Sequence, residues 1–347
     1  MSVVDSVQDI SQDIEQYAAT IVQVCSYHRR DFDLVVIRPR PHSTHSVEAS
    51  LHSPFESSPI ADLGILSRHL PMELVLLVLR AFDVRSYFSF RQVNRKARLI
   101  ATGIREYKLI SKYGLEGLQG LLRTKLAPCF TMGDLYRPLV TDKCLNCGNF
   151  GSLLFLLTAE RCCFACLLTS VHYRTIAPPT FTELSDMSPS LIDHQPIPKL
   201  RTVPGVYNFL DVTVKRPEYL IAEERATQTF LASKILGDDA VRKLRERREV
   251  RNERFMAATA YPYYDLTNAR VERGVNCKGC QMWVETNHTA VTTANPSRVY
   301  STQGFLDHFS DCREAQEIWT TSERGTRPVN DSEMIRSGGY INTSDEL

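Results

Sequence analysis

The stretch LPMELVLLVLRAFDVRSYFSFRQVNRKAR, Leu70 to Arg98, decides the reading of this chain. Leu70, Leu74, Leu77, Val78, Ala81 and Phe82 recur at helical spacing and form one stripe expected to be buried. Val75, Leu76 and Leu79 fill the other side of the same helix, and only Glu73 and Arg80 carry charge before Phe82. A helix apolar nearly all round has to be covered on two faces. Its own neighbours can supply one cover; the second face is left for a partner.

The punctuation of the stretch defines three short helices. Pro71 suits a helix start, where its missing N–H costs nothing, and Glu73 favours the positive end of the helix. Asp83 can cap a second helix across Ser86 to Phe90, Asn94 a third, and Gly103 can end it. With those helices in place, Leu70-Pro71-x-Glu73-Leu74, then Val78-Leu79, then Val93-Asn94-Arg95 with Arg98, resembles an F-box. That family folds as a compact helical module and docks on the Skp-type adaptor of a cullin-based ubiquitin ligase. The resemblance implies that Leu70, Pro71, Leu74 and Val78 face the adaptor.

At 347 residues the chain has room for two or three domains. A hydrophobic content of 43%, a charged content of 23% and a net charge of +1 are ordinary for a globular protein and give no global pull toward nucleic acid or membrane. Asp5, Asp9, Asp13 and Glu15 precede any long apolar run, unlike a secretory signal or an arginine-rich transit peptide. Apolar runs such as Leu153 to Leu157 fall far short of the about 20 residues that span a bilayer. A cytoplasmic or nuclear protein without a membrane anchor is expected, and in a reducing compartment ten cysteines point to metal ligands before disulfides.

The cysteines cluster accordingly. Cys144-Leu145-Asn146-Cys147 is followed, after fifteen residues, by Cys163-Phe164-Ala165-Cys166. Two such knuckles supply the four thiolates of a tetrahedral zinc site once the intervening loop folds back, and Phe150, Leu154 and Phe155 can make an apolar hairpin between them. Cys162 stands next to Cys163, so the third ligand is open between the two. A second set comprises Cys277-Lys278-Gly279-Cys280 and, 27 residues on, His308 with Cys312. A single helix from Ser301 to Thr320 would put His308 and Cys312 on one face. His288 is the competing nitrogen. With four protein ligands each, two structural zinc ions are expected, leaving no coordination position for catalysis. The chain also lacks His-Glu-x-x-His, Gly-x4-Gly-Lys and Gly-x-Ser-x-Gly, so the expectation is a protein that is not an enzyme.

The organisation expected is a mainly α protein with short β hairpins. Residues 1–62 hold an amphipathic helix, with its stripe at Ile10, Ile14, Tyr17, Ile21 and Val24, and a Ser, His and Pro-rich linker read as disordered. The F-box-like unit occupies 63–103. A helical segment and the first knuckle module fill 104–175, with Leu109, Leu115, Leu118 and Leu121 packing back on the three helices. Residues 176–347 form an irregular α+β region with the second zinc site. In it, a helix from Leu220 to Ile235 is expected to end at Gly237, and a charged helix to follow Asp238-Asp239. The seven basic residues between Arg242 and Arg254 admit a nucleic-acid stripe, but Arg242 with Glu246 and Arg245 with Glu249 also make helical pairs, so a solvated helix is favoured.

Beyond the three helices, Phe130 to Tyr136 (FTMGDLY), Arg254 to Asp265 (RFMAATAYPYYD), the second knuckle and Phe305 to Cys312 are similar to a large group of fungal-type F-box proteins. In that group the same cysteine and histidine positions are read as zinc ligands, and the substrates are mostly unassigned. The Ser-rich leader before residue 60 and Cys162 depart from it. The resemblance implies a substrate receptor that joins a Skp-type adaptor, and through it a cullin, to an unknown protein substrate. The competing class is a zinc-stabilised nucleic-acid-binding or regulatory protein acting outside ubiquitination.

Overall fold

A computed structural model, describing residues 3–38, 50–52, 63–207, 213–248, 252–287 and 295–339, places Pro71 at the N-cap of a helix spanning Met72–Ala81, with Glu73 in its first turn. The next two helices begin where the side-chain caps put them. Asp83 accepts a hydrogen bond from the Ser86 N–H (2.9 Å) at the head of Val84–Arg91, and Asn94 accepts one from the Ala97 N–H (2.8 Å) at the head of Arg95–Gly103. Gly103 closes the last of these in helical conformation, and the turn outward is made by the extended backbone of Ile104.

The faces of Met72–Ala81 are reversed from the sequence expectation. Val75 and Leu79 are the buried residues, joined at the margin by Leu70, Leu76 and Phe82, whereas Leu74, Leu77 and Val78 are 45%, 58% and 47% exposed. The buried side is the one that shares a core with Tyr87 and Tyr107. Their stacked rings (5.5 Å between centroids) sit in the same core cluster as Val75 and Leu79, and the Tyr87 hydroxyl donates to the Ala101 carbonyl at 2.5 Å. Part of the expected linker packs here as well. Leu51 is buried, and Arg91 donates to the carbonyls of Ser50 (2.8 Å) and Leu51 (2.9 Å); the rest of the Ser-rich stretch lies outside the described residues.

The main core extends from these helices through Arg105–Tyr113 and Leu115–Arg123, where Leu118 and Leu121 are buried and Leu109 and Leu115 partly so. It ends on a three-stranded antiparallel sheet. Leu153–Phe155 is its centre, flanked by Glu160–Cys162 and Ala258–Ala260, with Leu153 opposite both Cys162 and Ala260. A strand covered on both faces reads as a continuous apolar run, which is why Leu153 to Leu157 are all fully buried. The segment Phe32 to Ile37 also joins this core, the Ile37 N–H donating to the Ala258 carbonyl (2.9 Å).

Two smaller clusters complete the fold. One gathers Ile176, Phe181, Ile192, Phe230 and Leu244. The long helix expected from Leu220 to Ile235 does not form here: Tyr219–Ala222 is a strand between Thr175–Ile176 and Leu200–Arg201, and the helix is shorter, Glu223–Ala232. Ile221 sits fully buried in this cluster and Leu220 in the main one, so the two successive residues face opposite cores, as only an extended strand allows. Gly237 does not end that helix; it N-caps the charged helix Asp238–Glu246. The other cluster packs the N-terminal helix Val3–Cys25, through Ile21 and Cys25, against Phe305, Phe309 and Trp319. Overall the chain is mainly α-helical with short antiparallel strands, and no helix among the described residues is long and apolar enough to cross a membrane.

Candidate metal centres

The first cysteine set is assembled by a tight knuckle and a helix start. The Cys144 N–H donates to the Asn149 carbonyl (2.6 Å) and the Gly148 N–H to the Cys144 carbonyl (2.9 Å), a turn that Gly148 makes at φ +74. On the far side, Cys163 N-caps the helix Phe164–Thr169, its sulfur accepting from the Cys166 N–H at 3.4 Å. The ligand sulfurs of Cys144, Cys147, Cys163 and Cys166 all lie within 4.8 Å of one another, with 3.7 Å between those of Cys147 and Cys163. Asn146 adds a hydrogen bond to the Cys166 sulfur at 3.2 Å. Cys162 is excluded: it belongs to the strand, where alternation turns it away from Cys163 and into the core, and complete burial pushes its thiol up. The frame under the site is Arg161, fully buried, which donates to the carbonyls of Pro138 (2.7 Å), Gly151, Tyr261 (3.0 Å) and Pro262 (2.6 Å); burial lowers its pKa to about 10.

The second set draws on four elements. Cys277 ends the strand Asn276–Cys277, which pairs antiparallel with Ser26–Tyr27. Cys280 lies in the helix Lys278–Asn287, and His308 in Thr302–Asp311, its ring stacked on Tyr300 at 4.6 Å. Contrary to the single helix expected from Ser301 to Thr320, the backbone breaks at Cys312 (φ −96, ψ 98) and a new helix, Arg313–Thr321, begins. The break lets the Cys312 sulfur close on its partners, at 3.8 Å from Cys277 and 3.9 Å from Cys280, while His308 Nε2 stands 3.4 Å from the Cys280 sulfur. His288, the competing nitrogen, lies outside the described residues.

These spacings decide between the chemistries open to clustered cysteines. A disulfide needs about 2.05 Å between sulfurs. A tetrahedron of thiolates about 2.3 Å from a central ion has sulfur–sulfur edges of about 3.8 Å, and about 3.6 Å where one corner is an imidazole nitrogen. Both clusters match the second pattern and are positioned to hold a metal ion. Electrostatics agree. Hydrogen bonding among the sulfurs pulls Cys144 and Cys280 below the usual thiol range, by way of Cys163 for the first and of Cys277 and Cys312 for the second, while Cys163 and Cys277 are pushed up in turn. A bound cation would replace the protons of these clustered thiols.

The sequence left the destination of the N-terminal helix open. It is the second metal cluster: Tyr17 packs on Trp319, and Asp13 accepts from the Trp319 indole N–H (2.9 Å) and pairs with Arg324 (3.0 Å). Tyr300 and Asp13 were the residues that sequence reasoning missed, since neither stands in a recognisable motif. Cys25 also lies in this cluster without joining the ligand group, its thiol raised to about 12 by burial. Of the residues expected to face an adaptor, Pro71, Leu74 and Val78 are exposed and Leu70 is half-buried. The chain matches no protein family model, no curated protein and no solved structure.

Proposed function

We propose that the chain is an F-box substrate receptor, which docks on a Skp-type adaptor of a cullin-based ubiquitin ligase through Leu70, Pro71, Leu74 and Val78 and carries a protein target on its remaining surface. One observation carries this reading: Leu74, Leu77 and Val78 stand exposed side by side on a helix whose opposite face is locked into the core by Val75 and Leu79. Single exposed leucines are ordinary, but a contiguous apolar face on a rigid, capped helix unit marks an interaction surface. An interface of standard size would bury about 800 Å² on this side. Such a receptor catalyses nothing and acts by raising the local concentration of its target near the conjugating machinery.

The ion proposed for both centres is zinc, because one donor set is four cysteines and the other three cysteines with one histidine, both at tetrahedral spacing. Cys144, Cys147, Cys163 and Cys166 would hold one, and Cys277, Cys280, His308 and Cys312 the other, in a structural role. Nucleic-acid binding is less well supported, because the basic segment is largely committed. Arg247 pairs with Glu223 (3.0 Å), Arg254 donates to the carbonyls of Leu167 and Ser170, and Arg242 and Lys243 pair with Asp239.

Co-purification with a Skp-type adaptor tests the proposal. Leu74→Asp and Val78→Asp replace exposed residues, so both variants are expected to stay folded, with unchanged thermal unfolding, and to lose the adaptor. Retained capture would overturn the docking assignment. Elemental analysis of the purified chain is expected to give about two zinc ions.

A further inference from the structure

The second metal centre also builds a groove. Its walls are the helices Lys278–Asn287 and Arg313–Thr321, each of which starts immediately after a metal-ligand cysteine, Cys277 and Cys312. At one end the two helices touch. Gly279 packs so closely on Ala315 that an added Cβ would lie 2.4 Å from the Ala315 nitrogen. Beyond that contact, with residues of the segment 329–336 as a further wall, lies a volume of about 790 Å³.

The lining is amphipathic and mostly of one charge. Met282, Trp283, Ile318 and Val329 supply the apolar part. Glu285, Glu314, Glu317 and Asp331 supply four carboxylates against one lining cation, Arg336. Asp331 is paired with Lys278 (2.8 Å) and Glu317 with Arg313 (3.2 Å), but Glu285 and Glu314 meet no cation among the described residues. Among the described residues the nearby cations Lys278 and Arg313 are thus already engaged by Asp331 and Glu317, which leaves Glu285 and Glu314 as the excess charge of the groove.

We propose that this groove binds an extended, basic segment of a target protein, with an aliphatic side chain on the Trp283 and Ile318 surface and lysine or arginine side chains beside Glu285, Glu314 and Glu317. Trp283 adds a ring face for a cation. The wall helix has ten residues, about 15 Å, which an extended peptide of about five residues spans. This rests on the substrate-receptor reading for its biological meaning, and it gives that receptor a substrate class. The metal ion's part is indirect: by fixing Cys277, Cys280 and Cys312 it fixes the angle between the two walls.

Fluorescence anisotropy on the full, zinc-loaded chain tests it, with dye-labelled peptides of about eight residues, long enough to overhang the groove. One peptide mixes leucine with lysine and arginine; a second replaces every basic residue by glutamate. The basic peptide is expected to bind saturably, and the acidic one not. Glu285→Gln and Glu317→Gln should each weaken binding about two- to fivefold, with the loss shrinking as salt rises. Trp283→Ala should weaken it about tenfold. Equal binding of the acidic peptide, indifference to these substitutions, or no binding of the basic peptide would each overturn the proposal. Adaptor capture is read separately on the same preparation. Peptide binding without capture leaves the groove standing and removes the receptor role; capture without peptide binding removes the groove.

Discussion

Replacing Gly279 by alanine puts one methyl group at the tightest point of the second metal centre. Its Cβ would lie 2.4 Å from the Ala315 nitrogen and 2.6 Å from the Glu314 carbonyl carbon, where ordinary contacts are 3.4–4 Å. Both neighbours are backbone atoms, so no side-chain rotation relieves the clash. To reach 3.4 Å the helices must part by 3.4 − 2.4 = 1.0 Å, whereas metal–sulfur bonds hold their lengths within about 0.2 Å. Overpacking of this kind costs about 1–3 kcal/mol, and the better helix propensity of alanine offsets about 1 kcal/mol of it. The remainder, up to about 2 kcal/mol, falls on Cys280 and Cys312 and corresponds to a loss of up to about thirtyfold in metal affinity. Competition for zinc with a chromophoric chelator reads that loss directly. Gly103→Ala is the control: nothing lies within 4 Å of its Cβ, so metal binding should not change and stability should rise by about 0.5–1 kcal/mol. A Gly279→Ala chain that binds both metal ions with the parent affinity would refute the close-approach reasoning.

Cys163→Ser should remove the first metal ion, while Cys162→Ser should keep it and lose about 1–3 kcal/mol of stability by burying a hydroxyl; metal content measured on both variants distinguishes them, and the reverse order would mean that the strand and helix start are misassigned. His172 bridges Glu160 and Glu224, each at 2.7 Å from a different ring nitrogen. Burial pulls its pKa down, but the two carboxylates outweigh that and hold it above the usual imidazole value. Its contribution is therefore complete below about pH 6.5 and is lost as pH rises through the raised folded value. Thermal unfolding followed against pH should show a dependence in the parent chain that is weaker in His172→Gln, where His28 paired with Asp33 still contributes, and identical profiles would count against the bridge.

What the sequence made legible was local chemistry. Asp83 and Asn94 cap the helices expected of them, because a short polar side chain before an apolar run has one cheap way to satisfy the first N–H groups. The two metal clusters were legible from spacing, since a Cys-x-x-Cys turn constrains geometry wherever it occurs, with the choices of Cys163 over Cys162 and of His308 over His288 left open. What it left illegible was relational. Met72–Ala81 is apolar on both sides, so its pattern could not say which side Tyr87 and Tyr107 would meet. Cys162 and Cys163 have the same chemistry, and only strand alternation parts them. The break at Cys312 follows from sulfurs that approach across 35 residues, and Tyr219–Ala222 became a strand because two cores needed adjacent residues on opposite sides.

The pairing of Ser26–Tyr27 with Asn276–Cys277 has a consequence for synthesis. Between Tyr27 and Cys312 lie 312 − 27 = 285 positions, which a ribosome adding about 5–20 residues per second needs about 14–57 s to cover. Throughout that interval the first helix has emerged but its docking site has not. The Met72–Gly103 unit can assemble meanwhile from neighbours already made, so the exposed apolar helix face forms before the far end of the chain exists. Closure of the second cluster therefore waits for Cys312, and packing of the first helix on Trp319 waits longer still. A chain cut short before Cys312 would lack both the sulfur that completes the second cluster and the Trp319 ring on which the first helix packs.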